Sequence, residues 1–236
     1  MFICNGLINL IRSDFLKLLQ NGPEDDLVYI FAHGAGADMD SEFMTQVAEK
    51  LGHKGIRVVR FNFPYMIKRA EDGKRRPPDR APKLLAAYEE VIKHLDCPVV
   101  IGGKSMGGRM ASMLLAENSL REKFDRLPIL GGACMGFPFH APAKDPKNRL
   151  DHLRGLTQPL LMVQGTRDTM GTLEDVNSYL DEGKINSSIQ IHWLEDGNHD
   201  LKPRKVSGFS HQQHIDSAIE QVAEFVLRMH KQNNSI

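Results

Sequence analysis

The chain has 236 residues, with 30 basic and 30 acidic side chains and no formal net charge; 41% of its positions are hydrophobic and 25% charged. At about 100–200 residues per domain this is the length of one domain, 1–236, with the composition of a fold that buries a full core. A neutral chain lacks the basic field that gathers nucleic acid or anionic membrane, and three cysteines (Cys4, Cys97, Cys134) are too few for a disulfide framework or a zinc site, so neither nucleic acid, membrane nor metal is expected as a partner.

No apolar run approaches the roughly 18 residues of a membrane-spanning helix. Sparse cysteine fits a reducing compartment, which predicts a cytoplasmic protein. Residues 1–20 are apolar in places, but Arg12, Asp14 and Lys17 interrupt them, with no basic leader and no small-residue cleavage site. This stretch reads as amphipathic edge structure.

From Leu27 onward, apolar runs alternate with helical periodicities. Leu27–Ala32 reads as a buried strand ending at His33-Gly34-Ala35-Gly36. A helix follows with Phe43, Met44, Val47, Ala48 and Leu51 on one face and Gly52 as its stop. Ile56–Phe63 is the next strand, closed by Pro64, and residues 64–82 read as an irregular stretch rich in Lys, Arg and Pro. Leu84, Leu85, Tyr88, Val91, Ile92 and Leu95 have helical spacing. Strands are predicted at Pro98–Gly102, Pro128–Met135, Pro159–Gln164 and Ile189–Leu194, with a Met- and Leu-rich helix over Met106–Ala116. Thr172, with Asp175 three residues on, predicts a capped helix between the last two strands. The final helix carries Ile215, Ala218, Ile219, Val222, Phe225, Val226 and Met229 as one stripe. Continuous apolar strands separated by amphipathic helices mean a parallel sheet covered on both faces, a doubly wound α/β architecture whose ligands sit at the carboxyl ends of the strands.

The strand ends carry the chemistry. Gly103-Lys104-Ser105-Met106-Gly107 is G-x-S-x-G between a strand and a helix, the pattern of a nucleophile elbow, in which the glycines allow a sharp turn packed against its neighbours. A serine needs a base, and the base an orienting acid, each just after a later strand. Asp168 follows the strand ending at Gly165, and His199 follows the one ending at Leu194. Asp196 and Asp200 are rival acids by proximity, but they flank the histidine instead of following a separate strand. The oxyanion of such a reaction needs two N–H donors. Met106, opening its helix, supplies one; Ala35, in the loop after His33, supplies the other, with Gly34 the near alternative. A P-loop is excluded because G-x-x-x-x-G-K-[ST] is absent, and a dinucleotide fingerprint because the G-x-G opening is absent.

The ordered set HGAG, GKSMGG, GTRD and GNH resembles the α/β-hydrolase superfamily over about residues 27–230. RFNFPY (60–65), KRRPPDRAP (74–82), GKSMGGRMAS (103–112), GFPFHAP (136–142) and QGTRD (164–168) are similar to small bacterial hydrolases of the dienelactone-hydrolase-like branch, whose substrates are mostly unassigned. The resemblance implies an α/β-hydrolase fold with a mostly parallel, doubly wound sheet of about seven to eight strands flanked by helices, and a Ser-His-acid hydrolase that needs no cofactor and takes a small-molecule acyl substrate. By position it implies Ser105 as nucleophile, Asp168 as acid and His199 as base. Dienelactone hydrolases proper carry cysteine where this chain has Ser105, so their substrate does not carry over.

Gly136 to Leu156 is too short for a helical lid domain, which predicts an open, shallow site. His33, Gly34, Phe63, Tyr65, Phe137 and His140 lie just past strand ends and are expected to line it. Met66–Lys83 holds seven basic residues against three acids, either attracting an anion or pairing locally. An ester, thioester or amide hydrolase is the leading reading. A hydrolase-fold scaffold without turnover stays open, since a eukaryotic branch of the narrower group occurs in chromatin-associated assemblies, and so does an acyltransferase on the same three residues.

Overall fold

The computed structural model describes residues 9–13, 16–141 and 149–235. Among these residues eight strands form one sheet: β1 (Asn9–Ser13), β2 (Leu16–Asn21), β3 (Val28–Ala32), β4 (Arg57–Phe61), β5 (Val99–Lys104), β6 (Ile129–Met135), β7 (Leu160–Gly165) and β8 (Gln190–Leu194). Their spatial order is β1-β2-β4-β3-β5-β6-β7-β8. β3 to β8 run parallel, and the hairpin β1–β2 closes one edge antiparallel to β4. The edge structure expected of the N-terminus is this hairpin from Asn9 on; residues 1–8 lie outside the described residues.

Every residue of β3, β5 and β7 is buried, as continuous apolar runs require when helices cover both faces. The strand alternation sorts the core into two layers. Val28, Ile30 and Ala32 join Ile101 beneath α3 (Ala81–Leu95) and α4 (Met106–Leu120). Tyr29 and Phe31 join Val58 and Val100 beneath α1 (Glu42–His53) and the long C-terminal helix, His211–Asn233. Truncating a residue of either layer, such as Leu114 to Ala, costs about 2–5 kcal/mol in cores of this kind. The capped helix is present at Leu173–Asp181: Asp175 N–H donates to Thr172 Oγ1 at 3.1 Å, and Thr172 N–H to Asp175 Oδ2 at 3.0 Å.

One stretch corrects the sequence reading. Residues 64–82 are not irregular throughout: Pro64–Asp72 is a helix, α2, and α3 begins at Ala81. Pro64 ends the strand and also occupies the first helical turn, where its missing N–H costs nothing. Tyr65 and Met66 are the buried face of that turn, and Gly73 stops the helix at φ 70°. Between Gly136 and Leu156 the described residues form only a four-residue helix, Asp151–Arg154, with residues 142–148 outside the description. Among the described residues no large extra domain accompanies the sheet, and no helix is long and apolar enough to cross a membrane.

Candidate active site

Ser105 sits between β5 and α4 with φ 51° and ψ −115°, a backbone strained for any residue with a side chain. Its surroundings enforce that turn. A Cβ on Gly103 would lie 2.4 Å from the Ala32 carbonyl, and one on Gly107 2.3 Å from the same oxygen, so only glycine lets α4 approach β3 this closely. The turn lifts the Ser105 hydroxyl clear of the sheet's carboxyl edge.

His199, in the loop after β8, reaches that hydroxyl: Nε2 is 2.9 Å from Ser105 Oγ. Its other nitrogen, Nδ1, is 2.8 Å from Asp168 Oδ2 in the turn after β7. A carboxylate only accepts, so Nδ1 carries the proton and Nε2 presents a lone pair to the serine. Asp168 is fully buried, and its Oδ1 accepts the Met170 N–H at 2.8 Å.

Gln164, which sequence reasoning missed, completes the carboxylate's setting. Its Nε2 donates to Asp168 Oδ2 at 2.8 Å, while its Oε1 accepts the Phe137 N–H at 2.7 Å. A buried amide ending the otherwise apolar strand Leu160–Gly165 was the available signal. Lys104 was missed too: its buried ammonium donates to the His199 carbonyl at 2.7 Å, and burial lowers its pKa from the ordinary lysine value.

The rival acids are engaged elsewhere. Asp196 binds Arg204 and, at 2.8 Å, Arg167 Nε, and the hydrogen bonds from Arg204 hold its carboxyl down at about 2. Asp200 is exposed and pairs with Lys104 at 3.6 Å.

The loop after β3 runs beside the serine, since a Cβ on Gly34 would stand 3.7 Å from Ser105 Cβ. Its carbonyls are held away from the site. Gly34 O accepts His33 Nδ1–H at 2.7 Å, and Ala35 O accepts the Tyr65 hydroxyl at 3.0 Å. In the trans peptide joining Gly34 to Ala35, the N–H of Ala35 points opposite to that restrained carbonyl. Among the described residues, neither this N–H nor that of Met106 has an acceptor.

Two cavities flank Ser105. One, of about 330 Å³, has Ala35, Ser105, Met106, Arg109, Arg149 and Met170 among its walls. The other, of about 530 Å³, is bordered by Gly34, Phe43, Met44, Lys104 and His199. Of the residues expected to line the pocket, Gly34 does so and the others do not. His33, Phe63 and Phe137 are fully buried, and Tyr65 is 2% exposed. His33 Nε2 accepts the Phe63 N–H at 3.1 Å, and burial pushes its pKa down to about 4, so it is a neutral pin between β3 and α2. His140 lies against Asp175 and Tyr179, away from both cavities. Each of these residues follows a strand end but turns its side chain under the loops, a direction set by packing and invisible in spacing.

The family model for the alpha/beta hydrolase domain matches residues 25–227, most of the chain. The chain belongs to the α/β-hydrolase family. Solved hydrolase structures share the fold at low identity. A dienelactone hydrolase from Anabaena variabilis is 16% identical, with a TM-score of 0.67 over 95% of this chain and 97% of its own. Est1E from Butyrivibrio proteoclasticus, solved with ferulic acid bound, is 16% identical, with a TM-score of 0.65 over 94% of this chain and 98% of its own. A thioesterase domain from the curacin biosynthetic pathway is 14% identical, with a TM-score of 0.60 over 94% and 99%.

Proposed function

We propose that this α/β hydrolase, read as a single domain over its whole length, is a serine hydrolase of carboxylic esters or thioesters that works through an acyl-enzyme. The observation that carries the reading is the continuous hydrogen-bonded path from Ser105 Oγ through His199 to Asp168, at 2.9 and 2.8 Å. Ser105 Oγ attacks the substrate carbonyl as His199 Nε2 takes its proton. Asp168, already accepting from Nδ1, stabilises the imidazolium that forms. The tetrahedral oxyanion is held by the free N–H groups of Ala35 and Met106, the latter at a helix N-terminus whose dipole favours negative charge. Collapse expels the alcohol or thiol, protonated by His199, and leaves Ser105 acylated. Water, deprotonated by His199, then releases the acid. Loss of one oxyanion donor costs typically about 10²–10³ in rate, so a pinned Ala35 loop is a large share of the catalysis.

An esterase domain and a thioesterase domain with this fold make both leaving groups reasonable first substrates. The test is hydrolysis of p-nitrophenyl acetate and of a short-chain acyl thioester by wild-type protein, Ser105→Ala and His199→Ala. Turnover by the wild type with loss of about 10³-fold or more in both variants is expected. Equal rates in all three would overturn the reading.

A further inference from the structure

Resting on that hydrolase reading, we infer that the cavity between α3 and α4 is a subsite for a carboxylate group of the substrate, gripped by Arg109 and Arg149. Arg109 N–H donates to the Ser105 carbonyl at 3.0 Å, so Arg109 stands one helical turn beyond the nucleophile on the same side of α4. Its side chain enters the cavity that Ser105 and Met106 also line, and Arg149 contributes to the same wall.

Arg109 differs from several other part-buried arginines, which have acceptors. Arg121 grips Glu89, Arg167 grips Asp196, and Arg57 reaches Gln20. Arg109 Nε is shut off from solvent with no acceptor, and among the described residues no carboxylate pairs with either Arg109 or Arg149. Two guanidinium groups facing one space repel each other: burial first, and then the charge of Arg149, lowers the pKa of Arg109. A bound carboxylate removes both costs, because its two oxygens match the planar fork of a guanidinium.

Asp79 is the acid on these walls: its Oδ1 accepts from Lys83 at 2.9 Å and its Oδ2 is buried without a partner, so one carboxylate stands against two arginines there. Within the basic segment 66–83 charges are paired locally, Arg76 with Asp72 and Lys83 with Asp79. The larger cavity, with Phe43 and Met44 in its wall, leaves room for an uncharged half of the substrate.

The experiment compares kcat/KM for monoethyl succinate and for ethyl levulinate, in which a methyl ketone replaces the carboxylate. A second pair, 3-acetoxypropanoate and its methyl ester, puts the charge on the alcohol half. In at least one pair the wild type is expected to prefer the anion by tenfold or more. That ratio is expected to fall at least tenfold in Arg109→Met and to fall in Arg149→Met, whose position in the turn before Asp151–Arg154 keeps the test available if the helical variant folds poorly. Ratios near one for the wild type in both pairs, or ratios unchanged in both variants, overturn the subsite while leaving the hydrolase reading intact. Absence of turnover on all four esters, with Ser105 unreactive, overturns both.

Discussion

The ammonium of Lys104 donates to the main-chain carbonyl of His199 at 2.7 Å, so the residue before the nucleophile holds the loop that carries its base. β5 and β8 are separated by two strands in the sheet, and this contact spans that gap. A buried cation is costly to keep, and its return here is a fixed distance between Ser105 and His199.

Lys104→Met keeps the length and apolar stem of the side chain and removes the tie. It is expected to lower kcat by roughly tenfold on p-nitrophenyl acetate, as the histidine loop gains freedom, with Tm little changed or raised because a desolvated charge is gone. Steady-state kinetics beside a thermal melt read both. An unaltered kcat would show that the contact does not position His199.

Gln164→Leu strikes the carboxylate's support. It leaves the buried Phe137 N–H without its 2.7 Å acceptor and Asp168 Oδ2 with His199 Nδ1–H but without its second 2.8 Å donor. An unsatisfied buried group costs about 1–3 kcal/mol, which denaturant unfolding resolves, and kcat is expected to fall with it. Wild-type stability in the variant would contradict the role given to this amide.

Tyr65→Phe releases the Ala35 carbonyl and loosens the N–H proposed for the oxyanion. The expected signature is kcat down about tenfold with KM nearly unchanged, since the donor acts on the transition state. A rise in KM at constant kcat would instead place Tyr65 in substrate binding.

Stability should fall in mild acid through two histidines. Burial pushes His33 to about 4, and burial with the charge of Arg109 pushes His152 to about 4. The unfolded chain, near the ordinary 6.5, therefore binds more protons between pH 6.5 and 4, and stability is lost as pH falls through that window. Each histidine contributes about 2 kcal/mol of loss between pH 7 and 5. His152→Gln, which can still meet Ser112 Oγ, is expected to flatten the pH dependence of the unfolding free energy by about that amount. An unchanged slope would mean that His152 does not titrate between the two states.

Much of this molecule was legible in its sequence because each strand of the parallel sheet is a continuous apolar run with a punctuating residue at its end. Ser105, Asp168 and His199 stand at three such ends, and topology brings strand ends together, so their meeting followed from chain order. Helix α2 was hidden because Pro64 signals both a strand's end and a helix's start. The pocket walls were illegible for a different reason. His33, Phe63 and Phe137 share the strand-end position of Gly34, yet turn inward, and no periodicity records which way a loop side chain packs. Nothing in the sequence marks Arg109; the fold is what places it in a cavity wall shared with Ser105.

The proposed hydrolase depends on Ser105 as a nucleophile activated by His199. The most direct measurement is intact-mass and peptide mapping after exposure to a fluorophosphonate. One adduct per chain on the peptide holding Ser105, absent in Ser105→Ala and slowed by orders of magnitude in His199→Ala, is expected. Folded wild-type protein that takes up no label, or an adduct on any other residue, would contradict it.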